Sequence, residues 1–148
     1  VVGPLSLAAL VGTCAAAPSS APYVPCAGWA GTTTFTALML DPAPPSLKKV
    51  YTEYWTFSNA RPIVAGAKVS ERVSVGGTTL SSVIYDLCEI GRLDGRPCPM
   101  AAGERVLRWT QRPLAAAPPF VALTVHREAV NGDGSRLFCM DIALKFVP

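Results

Sequence analysis

The sequence contains one histidine, His126, so any site that uses an imidazole as base, acid or ligand has to use that residue. A Ser-His-Asp or Cys-His nucleophile would have to be built around it, and a histidine-rich zinc site is excluded. His126 falls in an alternating segment where an exposed strand position is the plainer reading. Asp86 and Glu89 flank Cys88 and could in principle share a proton, but a structural role beside that cysteine accounts for them better. Arg108 and Arg112 are cations able to meet an anionic group, although an arginine on a strand more often faces solvent. The five cysteines, Cys14, Cys26, Cys88, Cys98 and Cys139, form no C-x-x-C unit, so neither a zinc site nor another metal is expected. No cofactor and no enzymatic activity are expected from these residues.

The segments that carry these residues read mainly as strands. Phe138, Met140, Ile142, Leu144 and Phe146 alternate with Cys139, Asp141, Ala143, Lys145 and Val147, the period of a half-buried strand. Val121, Leu123 and Val125 alternate in the same way with Ala122, Thr124 and His126. Asn131-Gly132-Asp133-Gly134 lies between them and supplies residues that tolerate positive φ, so the last 30 or so residues read as a β-hairpin. Further strands are expected over 33–40, 49–57, 63–75, 80–87 and 105–111, and no helix is expected after Pro22. In 49–57, Tyr51, Trp55 and Phe57 share one face and Tyr54 takes the other, with the inner face left open. Strands at this spacing with turn residues between them predict a β-sandwich or barrel.

The length of 148 residues fits one domain, at roughly 100–200 residues per domain. Half of the residues are hydrophobic and only 16% are charged, which excludes a disordered chain. The net charge of +3 is too small to point to nucleic acid. The first charged residue is Asp41, and Leu5 to Ala17 is an apolar run rich in Ala and Leu, followed by Pro18-Ser19-Ser20-Ala21-Pro22. This pattern reads as the end of a secretory signal and a spacer over residues 1–21, ahead of a single domain over 22–148. A buried N-terminal strand or helix is the alternative, and a lipoprotein signal at Cys14 fits less well.

With Cys14 set aside, four cysteines remain, and an even number in a small secreted domain reads as two disulfides. Sequence alone allows three pairings. Cys88 and Cys98 enclose a short loop containing Gly91, Gly95 and Pro97, a natural segment to staple.

Residues 85–113 carry a resemblance. Tyr85-Asp-Leu-Cys-Glu, a variable loop, Cys98-Pro-Met-Ala-Ala-Gly-Glu, Val106-Leu and Gln111-x-Pro113 occur in that order. Pro118-Pro119, the Asn-Gly-Asp-Gly turn and Leu137-Phe-Cys139 follow. The chain resembles the ML lipid-recognition family, which includes the Niemann–Pick sterol-transfer proteins and the phosphatidylglycerol/phosphatidylinositol transfer proteins. The Asp-Leu-Cys-Glu and Cys-Pro-x-Ala-Ala-Gly segments are closest to the latter. The further Cys pair of the sterol branch has no counterpart around Met39 to Leu47, which leans towards a phospholipid over a sterol.

The resemblance implies an all-β, immunoglobulin-like β-sandwich of two antiparallel sheets with an apolar lipid cavity between them. It implies a secreted or lumenal protein (endomembrane, vacuolar or lysosomal), disulfides Cys26–Cys139 and Cys88–Cys98, and transient contact with a membrane surface. A module that presents lipid to a partner protein, or packs against one, is the alternative function. The lipid-binding candidates are Leu80, Ile84, Leu123, Val125, Met140, Ile142 and Leu144 on strands. Pro113, Leu114 and Phe120 join them from the loop near the pocket mouth.

Overall fold

A computed structural model of the chain describes residues 19–148. The expected signal segment therefore lies almost wholly outside the described residues. Nine strands and one short helix follow in the order β1 (Ser19–Ser20), β2 (Tyr23–Pro25), β3 (Thr33–Asp41), β4 (Tyr51–Asn59), β5 (Lys68–Val75), β6 (Thr78–Asp86), α1 (Leu87–Leu93), β7 (Gly103–Gln111), β8 (Ala122–Val130) and β9 (Arg136–Lys145). They form two antiparallel sheets with strand orders β1-β3-β4-β7 and β2-β9-β8-β5-β6. The fold is an all-β sandwich, one of the two architectures that the alternation allows and the one that the resemblance implies.

Each sheet turns its apolar registers inward. Trp55 on β4, Leu107 on β7, Leu123 on β8 and Phe138 on β9 meet in the core, with Phe35 and Trp55 packed edge-on against Phe138. Edge-to-face contacts of this kind add roughly 0.5–1.5 kcal/mol beyond area burial.

The turns follow from residue type. Gly76 and Gly77 join β5 to β6 with φ of +53° and +82°, the pair of positive values that a two-residue hairpin turn demands. The β8–β9 connection is longer than a tight Asn-Gly turn. Gly134 takes the positive φ, and the Asp133 carboxylate accepts from the Ser135 N–H at 2.9 Å. Asn131 instead reaches out of the hairpin. Its Oδ1 accepts from Val64 N–H and its Nδ2 donates to the Pro62 carbonyl, both at 2.9 Å, which pins the segment before β5.

Helix α1 corrects the expectation of no helix after Pro22. Seven residues make about two turns, too few for a 3.6-residue period to show. Its start is set by the cap. The Asp86 carboxylate accepts from the Cys88 and Glu89 N–H groups at 2.9 and 3.2 Å. The Glu89 N–H bond, with Lys68 adding to it, holds that carboxyl below the usual range. Leu87 and Ile90 bury the inner side of the helix.

Among the described residues, two disulfides fasten the sandwich. Cys26, just after β2, is bonded to Cys139 on β9, and Cys88 in α1 is bonded to Cys98 ahead of β7. Among the described residues no helix is long and apolar enough to cross a membrane.

Candidate functional site

Strand alternation carries three charged side chains to inward positions. Glu53 shares its register on β4 with Tyr51, Trp55 and Phe57. Glu71 lies between Val69 and Val73 on β5, and Arg127 between Val125 and Ala129 on β8. Glu71 and Arg127 are direct cross-strand partners, whereas Glu53 reaches in from the opposite sheet.

Arg127 donates from Nη1 and Nη2 to Glu53 Oε2 and Oε1 at 2.6 and 2.8 Å, a two-pronged bond across the sandwich. Its Nε donates to Glu71 Oε2 at 2.8 Å. Glu53 also accepts from Trp55 Nε1 and Gln111 Nε2, each at 2.7 Å. The guanidinium carbon lies 5.3 and 5.0 Å from the ring centres of Trp55 and Trp109. Arg127 is only 1% exposed. Burial works against its charge, but the Glu53 and Glu71 carboxylates outweigh this and hold its pKa above that of a free arginine.

A cavity of about 240 Å³ opens beside this cluster, between the edge strand β6 of one sheet and the end of β7 in the other. Arg127, Glu71 and Tyr51 are its most buried polar lining, and Tyr85 and Gln111 stand beside them. Val125, Leu144, Phe146 and Val83 form apolar walls, and Arg112 to Ala115 border the mouth. Desolvation, reinforced by nearby carboxylates, raises the pKa of both Tyr51 and Tyr85, so both stay phenols. A larger hollow of about 370 Å³ lies at the other edge of the sandwich, walled by small apolar residues such as Ala21, Pro45 and Ala143. The smaller cavity is the better site because convergent polar groups meet apolar walls there, which the other hollow lacks.

A family model described as ML domain matches residues 20–146. The chain belongs to the ML domain family. No curated protein sequence matches it. Two solved structures share the fold of this ML domain. One is a Niemann-Pick type C2 protein from the Japanese carpenter ant, 13% identical, with a TM-score of 0.59 over 83% of this chain and 98% of that one. The other is chicken MD-1 complexed with lipid IVa, also 13% identical, with a TM-score of 0.54 over 84% of this chain and 88% of that one.

The ML domain places the predicted residues unequally. Leu123, Val125, Met140, Ile142 and Leu144 all point inward and are buried. Only Val125 and Leu144 of these line the cavity, together with Pro113 and Leu114, while Leu123 and Ile142 complete the closed core. Met140 borders a separate groove near Tyr23 and Trp29.

Ile84 is a correction. It pairs with Ser70 on the outer face of its sheet and is 70% exposed, so it cannot line a gap between the sheets. Leu80 is half-buried against the core, at a shift in the β5–β6 register that leaves it without a cross-strand partner. Phe120 is 63% exposed, outside the cavity on the loop that borders the mouth, with a φ of +62°. Its N–H donates to the Phe146 carbonyl at 2.8 Å, which ties the loop to the end of β9.

The polar candidates also separate. Arg108 is held by Asp94 at 2.9 Å, away from the cavity, whereas Arg112 borders it. His126 sits on the outer face of its sheet, bonded to Asp141 and Glu128 at 2.7 and 3.1 Å. Partial burial opposes its protonation, but these carboxylates prevail and raise its pKa. Cys139 Sγ lies 3.9 Å from its Nε2, but both nearby cysteines are bonded to each other and offer no thiolate to a metal. The sequence reading missed Glu53, Glu71 and Arg127. Their signal was available, since each falls in the register of buried apolar neighbours.

Proposed function

We propose that the protein binds a lipid or similar amphiphile in the gap between its sheets and carries it between membranes, without catalysing a reaction. The observation that carries this reading is the cavity at the β6–β7 opening of an ML domain, with apolar walls and a mouth at the sheet edge. The lipid IVa bound by chicken MD-1, which has the same fold, supports a lipid class of ligand. The cavity of about 240 Å³ is below the roughly 300–1,000 Å³ of sites that enclose a drug-sized molecule. It therefore suits one slender chain, and a two-chain phospholipid, favoured by the sequence resemblance, requires the sheets to part along β6 and β7. Each buried CH₂ contributes about 0.8 kcal/mol, so affinity rests mainly on the tail. The two disulfides suit an oxidising compartment, secreted or lumenal.

Filling the gap tests this reading. Val125→Phe should weaken binding of a fluorescent single-chain lipid by about tenfold or more while the protein stays folded. Ala143→Trp, on the exposed outer side of β9, should leave it unchanged. Equal affinity in both variants and the parent protein would remove the inter-sheet site.

The loop after β7 supplies the membrane contact in this reading. Phe120 and Val121 are exposed apolar residues near the mouth, and Arg112 adds a cation worth on the order of 1 kcal/mol beside an anionic surface. Phe120→Asp should slow lipid transfer between anionic vesicles several-fold and leave equilibrium binding of a dissolved short-chain lipid intact. Transfer at the parental rate would show that this loop does not meet the bilayer.

A further inference from the structure

The inner end of the cavity is polar, which constrains what a ligand presents there. We infer that the cavity takes an uncharged amphiphile whose buried end carries a hydroxyl group, inserted hydroxyl first; this rests on the inter-sheet binding reading above. The lining sorts by depth. Arg127, Tyr51 and Glu71 are 1%, 5% and 8% exposed, while Val83 at the rim is 39% exposed. A hydrocarbon end pressed against the Tyr51 hydroxyl and the Glu71 carboxylate would cover polar atoms without pairing them, which is unfavourable.

An anionic end fits no better. The cluster sets one guanidinium against two carboxylates, a formal charge of −1. The donors of Arg127 are already directed at those carboxylates, through Nε, Nη1 and Nη2 to Glu53 and Glu71. No pair of guanidinium N–H groups is left for the two-pronged grip that a carboxylate or phosphate requires. The groups that remain are the Glu71 carboxylate as acceptor and the hydroxyls of Tyr51 and Tyr85, for which no hydrogen bond is found among the described residues. An alcohol complements this set, because its O–H donates to the carboxylate and its oxygen accepts from a phenol. The apolar walls of Val125, Leu144 and Phe146 then receive the carbons next to the hydroxyl.

The experiment compares ligands of one chain length on the intact protein: 1-decanol, decanoate and decyl methyl ether, each displacing anilinonaphthalene sulfonate. Decanol is expected to bind at least tenfold more tightly than decanoate and several-fold more tightly than the ether, which accepts but cannot donate. The paired variant Tyr51→Phe/Tyr85→Phe should reduce the preference for the alcohol over decanoate while melting as a folded protein. Decanoate binding as tightly as decanol, or an unchanged order in the paired variant, overturns the hydroxyl-first assignment and leaves inter-sheet binding standing. Failure of all three compounds to displace the probe overturns both.

Discussion

Arg127→Met should destabilise the protein by about 3–5 kcal/mol, because it leaves Glu53 and Glu71 buried with no cation between them. In a chain of this size that loss corresponds to a fall in Tm of roughly 10–20 °C. The loss should come from stranded charge and not from missing contact area. The triple variant Arg127→Met/Glu53→Gln/Glu71→Met should therefore recover most of it, since a glutamine at 53 can still accept from Trp55 Nε1. Thermal unfolding followed by circular dichroism distinguishes the two proteins. A triple variant no more stable than Arg127→Met would mean that the ion cluster itself is a net source of stability. An Arg127→Met protein melting with the parent would mean that the buried carboxylates find another partner.

Removing the long disulfide should have a comparable effect. Cys26 and Cys139 are 113 residues apart in sequence, and Cys88 and Cys98 only 10. Restricting the unfolded chain over so long a loop contributes about 4.7 kcal/mol, against about 3 kcal/mol or less for a loop of 15 residues or fewer. Cys26→Ser/Cys139→Ser should accordingly lower Tm further than Cys88→Ser/Cys98→Ser, and by several degrees. The reverse order would indicate that the Cys88–Cys98 bridge, which joins α1 to the approach of β7, acts on the folded state as well.

The parts of the fold readable in the sequence are those where one periodicity runs without interruption. β8 alternates along its nine residues and β9 from Met140 to Lys145, so their inward faces follow directly from Leu123, Val125, Met140, Ile142 and Leu144, whereas Leu137 to Met140 are all buried. Helix α1 lacks that length, and its sign was a cap, Asp86 ahead of Leu87, rather than a period. Ile84 departs from the expected inward position because an apolar residue on an edge strand need not face the core, and its neighbours Val83 and Tyr85 hold the inward register. The buried charges were hidden for the opposite reason, because a charged residue on a strand is ordinarily assigned to solvent. Glu53, Glu71 and Arg127 break that assignment together, and only their pairing across the sandwich explains why all three are buried. Which of the inward residues border the cavity depends on how far β6 and β7 stand apart, a distance no single strand encodes.

The bond from Arg127 to Glu53 also determines how the two layers can move. The Cys26–Cys139 bridge joins neighbouring strands of one sheet, so it does not lock one layer to the other. The Arg127–Glu53 pair does cross the gap, and its two parallel prongs tolerate little sideways displacement. Sliding of one sheet over the other would break both prongs at once. Rotation about an axis through the pair strains them less, and the Cys88–Cys98 bridge, between α1 and the approach to β7, tethers one end of the side where β6 and β7 face each other. Sliding of the layers is therefore opposed by the charged pair and separation at the α1 end by the Cys88–Cys98 bridge, which leaves the end of the opening near Ser81 and Gln111 as the place where a bulkier guest would need room.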